Sequence, residues 1–335
     1  MPISTIGDMS QHFQSLRNTG SIKVQLARLS QEMSSGQVAD LGTHLKGNTT
    51  ALTGLNHEIT MLDEYSSTNS DTSRILDMMQ ITLQRMDTQR ENAASSFLSV
   101  TAETNSHQVE NAAAAAKSAF SEIINGLNST IGGRSLFAGT AVDVAPLAEP
   151  DSILVDLVAS ISGATSKADI VSAIDSWFDT GGGGFDTIAY RGNQDNQARA
   201  TDGQNNVSLD VRGDDPSVRE LLKGFAYAAV VSDISMSVTD RVAAELVNEA
   251  GVKLIEAAEG FSYLQGRLGG AQEAVTLAEA SNSTQRASFE IARSDMVRAD
   301  PFETATKLQD IQTQLETHFA VTARLSRLNL VDFLR

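Results

Sequence analysis

The chain has 335 residues, which is enough for roughly two domains, and its 42 acidic and 25 basic residues give a formal net charge of −17. This charge argues against general binding to nucleic acid or to an anionic membrane surface, because both require an excess of positive charge. The absence of cysteine excludes disulfides, cysteine-ligated metals and thiol nucleophiles, and no apolar run is long enough for a transmembrane helix.

Long helices are predicted in the first part of the chain. Residues 3–145 contain no proline, the residue that most strongly breaks helices. Near the N-terminus, apolar residues recur at steps of four, three and four residues, at Ile22, Leu26, Leu29 and Met33. This spacing predicts a stripe that packs against a partner helix. The helical pattern ends in the glycine-rich residues 126–139.

The middle of the chain, from about residue 140 to residue 230, has a different composition. Residues 151–162 and 167–178 have the apolar spacing of short helices, and Asp215 begins another helix just before Pro216. Residues 185–190 and 207–211 alternate in polarity, which predicts two strands. The sequence therefore predicts a small, acidic α+β insert.

The C-terminal part is again helical. From Leu268 to Ala299, seam positions alternate steps of three and four residues, with polar Asn282 and Gln285 among them. Such polar residues cost stability but can fix helix register. The inner seam as a whole, from Val242 to Ala299, is equally consistent with an ordinary helical-bundle core and with contact between molecules.

A helix restart is predicted at Asp300. Asp300 is expected to cap the helix, Pro301 to occupy its first turn, and Glu303 to complete an arrangement like a capping box. The apolar stripe of this last helix consists of Leu308, Ile311, Leu315, Phe319, Leu325 and Leu328.

These patterns together predict a mainly α fold with a small α+β insert, in which the long N- and C-terminal helices pack as a coiled coil or helical bundle. Residues 1–45 and 301–335 are predicted to be terminal helices whose apolar stripes favour contacts between molecules. Residues 46–139 and 231–300 are predicted to form a helical-bundle domain, and residues 140–230 the acidic insert.

No catalytic, metal or cofactor site is predicted. No two of the five histidines lie four residues apart, and the glycine run 181–184 lacks the residues of a phosphate-binding loop. The Asp- and Asn-rich residues 193–206 lack the spacing of a calcium-binding loop. The chain is therefore not expected to be an enzyme or to bind a cofactor.

Both ends of the chain resemble the flagellin superfamily. Residues 26–36, LARLSQEMSSG, are similar to the start of flagellins and hook-associated proteins. The C-terminus of these proteins is similar to residues 300–305, DPFETA, and to residues 325–330, LSRLNL, with the closing Phe333-Leu334-Arg335.

Two internal segments resemble the branch of hook–filament junction proteins. Residues 132–140, GGRSLFAGT, are similar to that branch's G-x-Y-L-F-x-G-T segment through Gly133, Phe137, Gly139 and Thr140. Tyr190, Gly192 and Asn193 match its Y-x-G-N segment. Flagellins usually carry an acidic DDAAG segment where this chain has residues 40–47, DLGTHLKG, which favours the junction branch.

The resemblance implies a structural role in the bacterial flagellum. It implies export by the flagellar type III apparatus without a cleaved signal peptide, guided by residues within 1–25, and an extracellular location. The terminal helices would then be disordered in the free monomer, pair as a coiled coil on assembly and form the inner tube of a helical array of identical subunits. The implied partners are other copies of the chain, a second hook-associated protein on the hook side, flagellin on the filament side and an export chaperone.

Three other functional hypotheses remain open. A minor or short flagellin belongs to the same class but would polymerise along the filament. A signalling coiled coil would require continuous heptads and no β insert, and the Asp202-Gly203 turn argues against it. An enzyme would require a constellation of catalytic residues, which the sequence does not contain.

Overall fold

A computed structural model of the chain describes residues 6–234 and 238–333, with side chains described for residue 10 and for residues 13–324 within those ranges. The first residues of the predicted export segment 1–25 and the seam residues Leu325 and Leu328 have side chains outside this description.

Helices dominate the structure, as the sequence predicts, and within the described residues the strands form two small antiparallel hairpins. The hairpins pair β1 with β2 and β3 with β4. In chain order the elements are α1 (Ile6–Ser35), α2 (Leu41–His44), α3 (Thr50–Leu98), α4 (Ser106–Leu127), β1 (Thr130–Ile131), β2 (Arg134–Ser135), α5 (Pro150–Ser160), α6 (Lys167–Phe178), β3 (Gln197–Ala200), β4 (Asn206–Leu209), α7 (Pro216–Ala229), α8 (Val231–Ile234), α9 (Asp240–Val297) and α10 (Pro301–Phe333).

Contacts divide the chain into two compact units. The first, called the terminal unit below, comprises Met1–Leu62 and Thr284–Arg335, and the second, called the central unit, comprises Asp63–Ser283. Helices α3 and α9 contribute residues to both units. The three-part division predicted from the sequence stays a prediction.

The terminal unit is built on the packing of α1 against α10. The two helices run antiparallel, because Thr19 of α1 approaches His318 of α10 while the backbone of Gly36, after the end of α1, bonds to Ala299, just before α10. Residues distant in sequence therefore lie side by side, as predicted for the two ends of the chain.

The core of the central unit is centred on the pairing of α4 with α7. Both helices are strongly amphipathic, and Phe120 of α4 and Phe225 of α7 are fully buried. Phe225 also meets Phe97 of α3 edge to face, with ring centroids 6.4 Å apart, a favoured aromatic geometry. This core holds the insert to the long helices within one unit.

The predicted short helices of the insert are confirmed. The helix predicted at 167–178 is α6, whose Ser166 hydroxyl accepts the Asp169 N–H at 3.2 Å. The helix predicted at 151–162 is α5, and that predicted after Asp215 is α7, where the Asp215 carboxylate accepts the Ser217 N–H at 3.0 Å.

The strand predicted at residues 185–190 is wrong. Phe185–Ala189 form a short π-helical turn instead, which buries Phe185 against Trp177 and Phe178. Alternation over so few residues also fits one helical turn, since the buried Phe185 and Ala189 then lie on one face. The strand predicted near 207–211 is β4, and its partner is β3, which the sequence analysis missed.

Candidate assembly surface

The apolar stripe of α1 faces α10 only in part. Ile22 and Leu29 are buried, with 6% and 5% of their surface exposed, and Leu26 is half-buried. Met33, at the end of the predicted stripe, is 43% exposed. The seam of α1 is thus centred on Ile22 and Leu29.

The apolar stripe of α10 is likewise only partly buried. Leu308, Ile311 and Leu315 are half-buried, whereas Phe319 is 49% exposed. The predicted seam residues Leu325 and Leu328 lie outside the described side chains.

Two polar residues of α10 that the sequence analysis did not assign lie in the seam with this stripe. Thr304 is buried, and the half-buried ring of His318 has Nδ1 3.5 Å from the Thr19 hydroxyl of α1. The sequence signal was their spacing, because Thr304, Leu308, Ile311, Leu315 and His318 follow steps of four and three. Because Thr304 and His318 are polar, the search for apolar residues did not detect this spacing.

The turn after α1 is fixed to the start of α10 by backbone hydrogen bonds. Val38 N–H donates to the Val297 carbonyl at 2.8 Å, and Ala299 N–H donates to the Gly36 carbonyl at 2.9 Å. Gly36 has a φ of +67°, a left-handed conformation that glycine adopts at low cost. This short antiparallel bridge places the end of α1 beside the beginning of α10.

Asp300 lies at the position expected of a helix cap. Its Oδ1 accepts the N–H of Phe302 at 2.8 Å and of Glu303 at 3.1 Å, and Pro301 is the first residue of α10. Glu303 does not return to Asp300 but lies 2.7 Å from Lys307 Nζ, one turn further along the helix.

A recess of about 300 Å³ lies beside this bridge and is lined by side chains of both charges, among them Arg28, Asp40 and Arg298. Hydrogen bonds from the backbone N–H and hydroxyl of Thr43, with Arg28 at 3.9 Å, hold the pKa of Asp40 below its usual value. Within residues 6–234 and 238–333, no cluster of three or more histidines and carboxylates could hold a metal.

Large apolar side chains remain exposed on both terminal helices. Phe302 is 83% exposed and Val24 is 70% exposed, although both lie on helices that already have a packing partner. Such side chains are costly in water and are typical of a surface that another molecule covers. Among the described side chains of α1 and α10, the exposed large apolar residues are Phe13, Leu16, Val24, Met33, Phe302, Phe319 and Val321.

In the central unit, the structure brings together the two internal segments that resemble junction proteins. Asn193 N–H donates to the Ala138 carbonyl at 2.9 Å, and Thr140 N–H donates to the Asp195 carbonyl at 3.0 Å. A Cβ on Gly139 would lie 2.3 Å from the Asn193 carbonyl oxygen. The contact therefore requires glycine at this position.

Other residues of the two segments complete the contact. The Tyr190 hydroxyl donates to the Asn193 carbonyl at 2.9 Å, and a Cβ on Gly192 would lie 2.5 Å from that hydroxyl oxygen. Burial, and then the charge of Asp214, raise the pKa of Tyr190, so the hydroxyl stays protonated and can donate. Phe137 is fully buried, while Gly133, with a φ of +78°, lies in the β1–β2 turn.

Among the residues that the structure describes, no helix is both long and apolar enough to cross a membrane.

Comparison with known protein families gives two matches. Residues 7–142 match the bacterial flagellin N-terminal helical region, and residues 253–334 match the bacterial flagellin C-terminal helical region. Together these ranges cover well over half of the chain. No curated protein sequence matches the chain.

Among solved structures, the chain is similar to one described as a "putative flagellar hook-associated protein" from Vibrio parahaemolyticus. The sequence identity is 13%, the match covers 73% of this chain and 95% of that chain, and the TM-score is 0.46.

Proposed function

Because the chain belongs to the flagellin family, and is thus a structural component of the bacterial flagellum, we propose that it is the adaptor that joins the hook to the filament. In this proposal the terminal helices polymerise as a coiled coil, and the insert faces outward. The segments 1–45 and 301–335, 46–139 with 231–300, and 140–230 are the proposed terminal, bundle and insert domains.

The observation that carries the assignment to the junction is the contact between the two internal motif segments. Residues 132–140 and 190–193 resemble segments of junction proteins, and in this chain Gly139 and Tyr190 both contact the Asn193 carbonyl. Segments about fifty residues apart in sequence thus form one structural feature. That supports reading them as a single motif of this branch rather than as two chance similarities.

The state of α1 and α10 supports polymerisation through the terminal helices. Their seam is buried at Ile22 and Leu29 and half-buried along Leu308, Ile311 and Leu315, and further apolar side chains are exposed beside it. At about 25 cal/mol for each Å² of apolar surface buried, several such side chains could contribute several kcal/mol per subunit, less the cost of ordering the helices. Heterologous, head-to-tail contacts of this kind generate helical arrays.

The proposed partners follow from this position. Copies of the chain would pack laterally, a second hook-associated protein would lie on the hook side and flagellin on the filament side. The proposal includes export through the flagellar type III apparatus, with an export chaperone that shields the exposed apolar residues of α1 and α10 before assembly. The protein would then function outside the cell.

The alternative is a minor or short flagellin that polymerises along the filament. The flagellin family matches at both ends of the chain fit this alternative as well. The turn at residues 40–47, which lacks the usual acidic DDAAG segment of flagellins, favours the adaptor.

Immunogold labelling of intact flagella from the source cell tests the position directly. Gold confined to a band between hook and filament is the expected result. Gold along the whole filament would assign the chain as a flagellin, and flagella without gold would overturn both assignments.

A truncation tests the terminal-helix mechanism separately. Removal of residues 308–335 is expected to block incorporation into flagella while the central unit stays folded, as followed by the fluorescence of Trp177, the one tryptophan of the chain. Incorporation of the truncated chain at the wild-type level would contradict the mechanism.

A further inference from the structure

The central unit carries a small basic recess on an otherwise acidic protein. The recess has a volume of about 240 Å³ and lies between α3, the β1–β2 hairpin and β3. Its lining includes three arginines, Arg74, Arg134 and Arg199, and a single carboxylate, Asp71. A second, more open recess of about 430 Å³ is also lined by Arg134 and Arg199, together with the polar residues Thr68, Thr140 and Gln197.

Within this recess, only one arginine is neutralised by a described partner. Arg74 is paired with Asp71 one turn away on α3. No described carboxylate forms an ion pair with Arg134 or Arg199, and the Nε of Arg199 is buried with no hydrogen-bond acceptor among the described residues. A buried donor without an acceptor costs free energy that a bound oxyanion would recover.

The two unpaired guanidinium groups also repel each other. Burial, and then the charge of Arg134, lower the pKa of Arg199, while Asp71 acts in the opposite direction. Most basic side chains of the central unit are placed differently, since they lie within 4 Å of a carboxylate. Examples are Arg90 with Asp87, Lys117 with Asp233, Arg219 with Asp186 and Arg267 with Asp215.

We propose that a carboxylate side chain from a second copy of the chain binds between Arg134 and Arg199 when subunits pack together. Guanidinium groups bind carboxylates through paired N–H···O bonds, and two converging arginines are a common arrangement for recognising an acidic group. The net charge of −17 makes carboxylates the most abundant charged groups on a neighbouring copy. The contact would neutralise both guanidinium groups and give the Arg199 Nε an acceptor.

This inference rests on the polymerisation in the proposed function but not on the position at the junction. It holds equally for an adaptor and for a filament subunit. Gold along the whole filament would therefore reject the proposed position at the junction but leave this inference intact.

Zero-length cross-linking in isolated flagella tests the contact. R134K and R199K keep the positive charge and supply an amine, which a carbodiimide joins to any carboxylate in direct contact. We expect a cross-linked dimer of the chain in both variants, with the new amine linked to an Asp or Glu of another copy by mass spectrometry. R85K is the matched control, because Arg85 is exposed on α3, outside the recess and outside the described ion pairs.

The double variant R134Q/R199Q gives a second readout. We expect incorporation into flagella to fall by roughly tenfold, as for loss of a desolvated charge pair at an interface, whereas R85Q incorporates like the wild type. Unchanged urea unfolding of the double variant, followed by Trp177 fluorescence, would show that the loss does not come from misfolding.

Three results would overturn the inference. The first result is that the amines of R134K and R199K link only to Asp71 of the same chain, only to a different flagellar protein, or to no carboxylate. The second result is normal incorporation of R134Q/R199Q. The third result is that inorganic phosphate binds the free full-length chain but not R134Q/R199Q, and that added phosphate does not change incorporation. The recess would then be a site for a free anion.

Discussion

The backbone of Gly139 approaches the carbonyl oxygen of Asn193 so closely that a Cβ on Gly139 would lie 2.3 Å from it and 2.6 Å from the carbonyl oxygen of Asp195. Gly139 also has a φ of +64°, in the left-handed region that other L-residues rarely adopt. Both constraints act at the point where the loop after β2 meets the loop before β3. The contact between the two motif segments is therefore sensitive to a single methyl group.

Gly139→Ala is expected to destabilise the central unit by about 2–4 kcal/mol, from the left-handed backbone and the collision with two carbonyl oxygens. Urea unfolding followed by the buried Trp177 measures this, because that tryptophan lies in the same unit. Gly266→Ala is the matched control. A Cβ on Gly266, within α9, would meet no neighbouring side chain within 4 Å, so alanine should stabilise the chain by about 0.5–1 kcal/mol. Equal effects of the two substitutions would contradict the steric argument.

Tyr190→Phe removes the hydroxyl that donates to the Asn193 carbonyl and should cost about 1 kcal/mol at neutral pH. The pKa of Tyr190 in the folded chain is raised above its ordinary value of 10.0 by burial and by Asp214. A raised pKa contributes stability that is complete below the unfolded value and is lost as the pH rises through the folded value.

The gap in stability between wild type and Tyr190→Phe should therefore narrow as the pH rises above about 10. Urea unfolding at neutral and at strongly alkaline pH measures it. Tyr263→Phe, at a ring that is 69% exposed, serves as the control and should change little. A gap that stays constant up to strongly alkaline pH would show that the Tyr190 hydroxyl is not shielded as the structure indicates.

Two buried asparagines share one acceptor. The side-chain amides of Asn69 on α3 and Asn282 on α9 donate to the Thr201 carbonyl at 3.0 Å and 2.8 Å, and both side chains are almost fully buried. Either amide alone satisfies the carbonyl, so Asn69→Ala and Asn282→Ala should each cost only about 1 kcal/mol. The double variant leaves a buried carbonyl without either donor and should cost about 1–2 kcal/mol more than the sum.

A double-mutant cycle of urea unfolding energies measures this coupling. The buried Oδ1 atoms of both asparagines have no partner among the described residues, which further lowers the cost of each single substitution. Strict additivity would show that the two amides do not compete for the Thr201 carbonyl.

The helices were the most predictable part of the fold because their signals are local. Ser166 before α6 and Asp215 before α7 each bond to a backbone N–H of the first turn, which is a signal within a few residues of sequence. Asn282 was predicted as a polar seam residue that fixes register, and it is buried with its amide on Thr201. The sequence could show the position of Asn282 in the seam but not its acceptor, which lies 81 residues away.

The strands were harder to predict, because a strand forms by pairing with another segment and the sequence does not show which segments pair. Strand β3 has the sequence Gln-Ala-Arg-Ala, whose only apolar residues are two small, exposed alanines, and it forms because the Asp202 turn brings it beside β4. Phe185, by contrast, has strand-like neighbours but is fixed in a helical turn by its aromatic contacts. The polar seam residues Thr304 and His318 were missed for a related reason, since a search for apolar residues passes over them.

Substitutions in the terminal helices should affect the stability of the isolated chain and its assembly into flagella differently. Leu29 is buried in the seam between α1 and α10, so Leu29→Ala should weaken the packing of the two helices within one chain by about 2–4 kcal/mol. Phe302, which is 83% exposed on α10, loses no buried contact on substitution. Phe302→Ser should therefore leave the unfolding of the isolated chain nearly unchanged while it reduces incorporation into flagella.

Incorporation of both variants, measured by immunoblot of sheared flagella, and helix content of the isolated chain, measured by circular dichroism, distinguish these effects. Thr306→Ser, at an exposed position one turn further along α10, is the matched control and should behave as wild type in both assays. Normal incorporation of Phe302→Ser would show that the apolar side chains exposed on α10 are not covered by a neighbouring subunit. The assembly surface would then be confined to the residues that already line the seam between α1 and α10.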